Sequence, residues 1–191
     1  MNVSSRSLLA AALAVSLSLG GVVQAQTNDA PQSDRAAPMS SAKSSAPDAK
    51  FVEMASAAGL AEIDLGKLGA SQGQSDAVKT FGQQMVDDHT KANDELKTIA
   101  SSKSIPVSTA PMANDAKAAT MIGSKQGAEF DSAFKKKMVA DHEKAVKLFT
   151  KESTSGKDPE LKAFASKTLP TLQHHLQMAQ QLPSSSSNMG K

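Results

Sequence analysis

The stretch Phe81-Gly-Gln-Gln-Met85-Val86-Asp87-Asp88-His89-Thr90-Lys91-Ala92 recurs as Phe134-Lys-Lys-Lys-Met138-Val139-Ala140-Asp141-His142-Glu143-Lys144-Ala145. Both copies follow F-x-x-x-M-V-x-D-H-x-K-A, which sets Phe, Met, His and Ala at steps of four, four and three. Only an α-helix aligns such steps on one face. Two helices therefore carry the same apolar ladder, each interrupted by an inward His with an Asp beside it.

Working outward, the same periodicity predicts two more helices. Helix A covers about Phe51 to Ala70, with Phe51, Ala55, Ala58, Glu62, Leu65 and Gly69 on one stripe. Gly59, Gly66 and Gly69 each cost about 1 kcal/mol of helix propensity relative to Ala, so they point to close approach by another helix. Ser75 caps helix B, which runs to about Ser102. After Pro106 and Pro111 a short extra helix is expected from Ala113 to Ile122, then helix C from about Gly127 to Thr154. Asp158 as N-cap and Pro159 at the first helical position start helix D, whose stripe holds Leu161, Phe164, Leu172, His175 and Ala179 and whose interior Pro170 predicts a kink. The start of helix D also echoes the start of helix B: Ser75, Val78, Lys79 and Phe81 match Asp158, Leu161, Lys162 and Phe164. The expected fold is all-α, an antiparallel four-helix bundle with a short extra helix in the B–C connection.

Composition agrees with this. The 191 residues contain no Trp, no Tyr and six Phe, so strand-forming aromatics are scarce and Leu, Val, Met and Ala must fill the core. Net charge is +2, which gives no reason to expect nucleic acid. With no Cys, disulfides, thiolate metal sites and a cysteine nucleophile are excluded.

Residues 1–25 read as a signal peptide, with Arg6 before an apolar run from Leu8 to Leu19 and small residues up to Ala25. The run is short for a membrane span, so no transmembrane segment is expected after cleavage. Residues 26–50 and 183–191 read as disordered linker and tail, leaving 51–182 as the bundle domain. The expected location is periplasmic or secreted, with outer-membrane association open. An envelope component or a second copy of the chain is the partner class considered.

Phe51-Val, Gly59-Leu-Ala-Glu62, the two Asp-His repeats, Phe130-Asp131 and Leu169-Pro170-x-Leu172-x-x-His175-Leu176 together resemble the bacterial family called domain of unknown function 4142. The resemblance spans residues 51 to 182. It implies a ferritin-like bundle, export, a label of predicted outer-membrane protein and a metal role, and it implies no particular activity. Phe134 stands where that family's pattern leads one to expect Tyr.

Glu62, His89, His142 and His175 place one ligand-type side chain on each predicted helix at similar height, with Asp88 and Asp141 beside two of them. Two readings compete. In the first, these groups form a buried hydrogen-bonded layer that fixes register in a structural or envelope-interaction protein, the Glu and Asp carboxylates accepting from the His rings. In the alternative, the three imidazoles and one carboxylate hold a divalent transition metal such as iron, zinc or copper. A metal-assisted enzyme is a third possibility, and no catalytic residue is assigned. The Glu-x-x-His pattern of di-iron bundles is absent, since Val86, Val139 and Leu172 stand three before the histidines. The sequence favours the buried layer. Met54, Met85, Met138 and Met178 are expected to fill the core, His174 to face solvent, and Lys135 to Lys137 to form a solvated face.

Overall fold

The computed structural model describes residues 45–183. Five helices and no strand occur among them: α1 (Ala46–Gln72), α2 (Asp76–Ser102), α3 (Ala113–Gly123), α4 (Gly127–Ser155) and α5 (Pro159–Gln181). The four long helices match helices A to D. The signal-peptide reading of residues 1–25 and nearly all of both tails lie outside the described residues.

α1 begins five residues before the expected start. Ser45 caps it by accepting from the Asp48 amide at 3.3 Å, and Pro47 occupies the first turn, where its missing N–H costs nothing. Ser-Ala-Pro-Asp is therefore a helix start and not the end of a spacer. Ser75 and Asp158 cap α2 and α5 as expected. α5 runs continuously through Pro170.

α1 packs on α2, α4 on α5, and these two hairpins meet through α1 against α4 and α2 against α5. The first interface is close because it is lined by glycine: a Cβ on Gly82 would lie 2.5 Å from the Ala70 nitrogen and 2.7 Å from the Gly66 oxygen. No larger residue fits there without separating the helices.

Two buried carboxylates fix the directions. Asp131, in the first turns of α4, accepts from the Gln74 and Ser75 amides in the α1–α2 turn at 2.8 and 3.0 Å. Asp48, at the start of α1, accepts from the Lys157 and Asp158 amides in the α4–α5 turn at 2.9 and 3.1 Å. Each hairpin thus closes the turn of the other. The start of α4 lies beside the start of α2, so these two helices run the same way on opposite corners of the bundle. The connection between them must then travel its full length. It does so from Ser108, whose amide donates to Ser56 Oγ, up to Ile122, which packs with Leu65, Phe130 and Phe134.

The core is in two apolar clusters. One is built around Phe51, Leu96, Phe149, Leu161 and Phe164; the other around Leu65, Phe81, Met85, Phe134 and Met138. Between them lie Glu62, His89, His142 and His175, all buried. Met85 and Met138 fill the core as expected, whereas Met54 is 38% exposed. The lysine run is not a uniformly solvated face either: Lys137 bridges Asp115 and Asp141, and Lys135 donates to the Leu182 carbonyl.

Candidate metal centre

His89 follows Met85 by one helical turn on α2, His142 follows Met138 by one turn on α4, and His175 follows Leu172 on α5. Because those stripes face the bundle axis, the three rings meet there. Their centroids stand 5.6, 5.5 and 5.4 Å apart, close to an equilateral triangle. One ring nitrogen of each lies within 4.8 Å of the other two. Phe81 covers the group from the cluster around Leu65 and Phe134, 6.4 Å from both His142 and His175.

Hydrogen bonds select the tautomers. His142 Nδ1 lies 2.9 Å from the Met138 carbonyl, which can only accept, so Nδ1 carries the proton and donates. The lone pair of this ring is then on Nε2. His175 Nε2 lies 2.8 Å from Asp88 Oδ2 and donates to that carboxylate, leaving the lone pair on Nδ1. His142 Nε2, His175 Nδ1 and His89 Nε2 are all buried without a protein partner.

The imidazoles are held neutral. Burial pushes the His142 ring down to about 4, against the pull of its bond to Met138. Burial also lowers His175, with Asp88 opposing, and lowers His89 strongly, with His142 and His175 adding to the effect. Neutral imidazole is the ligand form of histidine.

Of the four ligand candidates on the sequence, the structure brings together three. Glu62 is buried on α1, its carboxyl pushed well up by burial and then by Asp141. Its Oε1 lies 3.9 Å from His142 Nδ1, the nitrogen that already donates to Met138, and its Oε2 has no partner. Glu62 thus stands outside the His triangle. Asp88 orients His175, as its place beside the ladder suggested. Asp141 does not orient a ring: it pairs with Lys137 and Lys144. Periodicity set the height of each group but not the edge of the ring it meets.

This bears on the hydrogen-bonded layer that the sequence favoured. Such a layer needs carboxylates accepting from the rings, and only Asp88 does so. Glu62 Oε2 and one nitrogen of each His are unpartnered, and a buried unpartnered polar group costs about 1–3 kcal/mol. As a structural device the arrangement is expensive, and the geometry supports the metal alternative better.

Solved structures with the same fold include a DUF305 fragment from Deinococcus radiodurans, at 12% identity and TM-score 0.64 over 72% of this chain and 95% of that one. They also include CopM in its Cu(I)-bound form, at 20% identity and TM-score 0.59, and in its Cu(II)-bound form, at 18% and 0.60. Each CopM comparison covers 70% of this chain and 93% of CopM. At these identities the likeness is one of fold. No curated protein matches the sequence. The family described as domain of unknown function, DUF4142, matches residues 33–182, and with four fifths of its length so covered, about the span whose motifs resembled it, the chain belongs to that family.

Proposed function

We propose that this protein binds a transition metal through His89, His142 and His175, with copper the favoured ion. The observation that carries the reading is the pair of fixed tautomers. Met138 and Asp88 hold the protons of His142 and His175 outward, so that buried lone pairs are left free. Ligating histidines are oriented in this way by a carboxylate or carbonyl on the other nitrogen. An all-nitrogen donor set suits copper and zinc better than iron or manganese, which favour added carboxylates, and copper stands above zinc in affinity for such donors. The copper-bound forms of CopM, a bundle of the same fold, lend support to that choice. Bound there, the ion would supply a positive centre stored away from solvent. The signal-like residues 1–25 support an exported, periplasmic setting.

The test is metal analysis of the mature protein purified without an affinity tag, followed by copper titration of the stripped form. One copper per chain is expected, lost in His89→Ala and His175→Ala and kept in His174→Ala. Trace metal only, or uptake unchanged in the His89 and His175 variants, would refute the assignment.

A further inference from the structure

Two cavities, of about 140 and 280 Å³, lie along the seam between α1 and α4. Met54 and Leu148 wall both, so the two form one groove. Phe51 and Ala58 from α1 and Ala145 from α4 extend its apolar lining, and Met112, the N-cap of α3, flanks the far half. Met54 and Met112 are each 38% exposed, which leaves an uncovered apolar strip along the seam.

The two ends of the groove differ in charge. Lys50, Lys151 and Ser155 edge the end near the α4–α5 turn. Lys50 is engaged by Glu53 at 2.9 Å, whereas Lys151 is exposed and forms no ion pair among the described residues. Glu152 lies beside them, 5% exposed, with Oε1 unpartnered; burial raises its carboxyl to about 7, so in its protonated form it donates as well as accepts. The opposite end carries Glu62, Asp115, Asp141 and Lys144. There Lys137 bridges Asp115 and Asp141, Lys144 stands 3.5 Å from Asp141, and Glu62 is only 5% exposed. The free ammonium is thus at one end only, with an apolar wall leading away from it.

Size sets the rest of the ligand. Glu62 is level with His142, and the nine helical steps from His142 to Lys151 cover about 14 Å. A medium-chain carboxylate has that length. The two volumes together fall within the about 300–1,000 Å³ of small-molecule pockets.

We infer that the α1–α4 groove binds a single medium-chain fatty carboxylate, its head at Lys151 and Glu152 and its chain along Met54, Leu148 and Ala58 towards Met112. The head accepts from the Lys151 ammonium and the Glu152 carboxyl, and the chain covers the exposed methionines. None of the three histidines lines the groove, so this site is independent of the metal reading.

Laurate, kept below its micellar concentration, is the probe. Calorimetry of the mature protein should give one laurate per chain, bound about tenfold more tightly than dodecylammonium, which has the same chain and the opposite charge. With methionine methyls labelled for NMR, the signals of Met54 and Met112 should move on titration, and that of Met121, 59% exposed and outside the groove, should not. Ala145→Leu should weaken binding by filling the groove, and Lys151→Glu by reversing the charge at the head, while Lys97→Glu on α2 should leave it unchanged. Equal affinity for the two amphiphiles, a still Met54 signal, equal losses in Lys151→Glu and Lys97→Glu, or unchanged binding in both groove variants would overturn the assignment. Anionic phospholipid vesicles, or a second copy of the chain at high concentration, moving Met54 where laurate does not would overturn it as well, giving the face to a membrane or to a dimer.

Discussion

Asp88 on α2 accepts from Nε2–H of His175 on α5 at 2.8 Å, and this bond ties together two helices that otherwise touch sparingly. It turns the bare Nδ1 of His175 into the protein interior. Replacing the carboxylate by an amide weakens the acceptor and lowers the basicity of the ring. Asp88→Asn is expected to reduce copper affinity by about 10–100-fold, read by competition against a chelator of known affinity, with stoichiometry unchanged. An affinity equal to that of the unsubstituted protein would remove Asp88 from any role at the centre.

His89 separates the two readings of the buried layer. Its Nε2 is buried and unpartnered, so in stripped protein His89→Leu removes a polar liability and fills the same space. Stability of the stripped form should stay level or rise by about 1 kcal/mol. Added copper should stabilise the unsubstituted protein by about 3 kcal/mol at one hundred times its dissociation constant and leave the variant unmoved. A loss of several kcal/mol in the stripped variant, seen in urea unfolding, would restore the structural layer.

The three rings should also give the stripped protein an acid limit. Burial lowers the His142 ring from its ordinary 6.5 to about 4, so between those values the unfolded chain binds a proton that the folded one refuses. Stability from this source is complete above about pH 6.5 and is lost as pH falls towards 4. Copper, which competes with the proton for neutral imidazole, should shift the acid transition to lower pH. Urea midpoints measured from pH 7 down to 4, with and without copper, give the comparison, and coincident curves would contradict the copper-binding role of the rings.

Glu152 carries the opposite dependence. It is buried near Asp48, and burial, with that neighbouring carboxylate adding to it, raises its carboxyl from 4.5 to about 7. The folded protein then holds a proton that the unfolded chain has released, so this contribution is full below about pH 4.5 and fades as pH rises through 7. Glu152→Gln mimics the protonated form and should gain about 1–3 kcal/mol over the parent at pH 8 and nothing at pH 4. Equal differences at the two pH values would show that the carboxyl titrates normally.

The stapling carboxylates predict a different kind of loss. Asp131→Asn retains one acceptor oxygen for two partly buried amides and removes the charge, which should cost about 1–3 kcal/mol with no change in copper stoichiometry. Chemical denaturation reads the first quantity and metal analysis the second. A fall in copper per chain in the folded variant would mean that the turn and the centre are coupled.

The Phe-Met-His ladder revealed the helices, the inward faces and the common height of the histidines, because each depends on spacing along one helix. It left the two internal echoes at odds. The structure accommodates both: α2 and α4 run parallel on opposite corners, as a two-fold axis along the bundle requires, while the hairpins are related across it. The same chain interval separates Asp48 from Asp131, Gln74 from Lys157 and Ser75 from Asp158. The staples themselves were not legible, since Asp48 and Asp131 bond to backbone amides far along the chain that carry no side-chain signature. Glu62 is a related case. Its stripe gave its depth, and only the packing of α1 against α4 decides that it meets the Nδ1 edge of His142.

The reciprocal staples make the molecule a covalent version of a dimer of hairpins. Asp131 closes the turn of one half and Asp48 that of the other, so neither half alone satisfies its own turn amides, and residues 103–126 act as a tether that keeps the halves at high local concentration. The imidazoles divide unevenly between them, one from the first hairpin and two from the second. An ion held by all three would act as a rivet at mid-length, between clasps at either end, and prying the halves apart would first require its release.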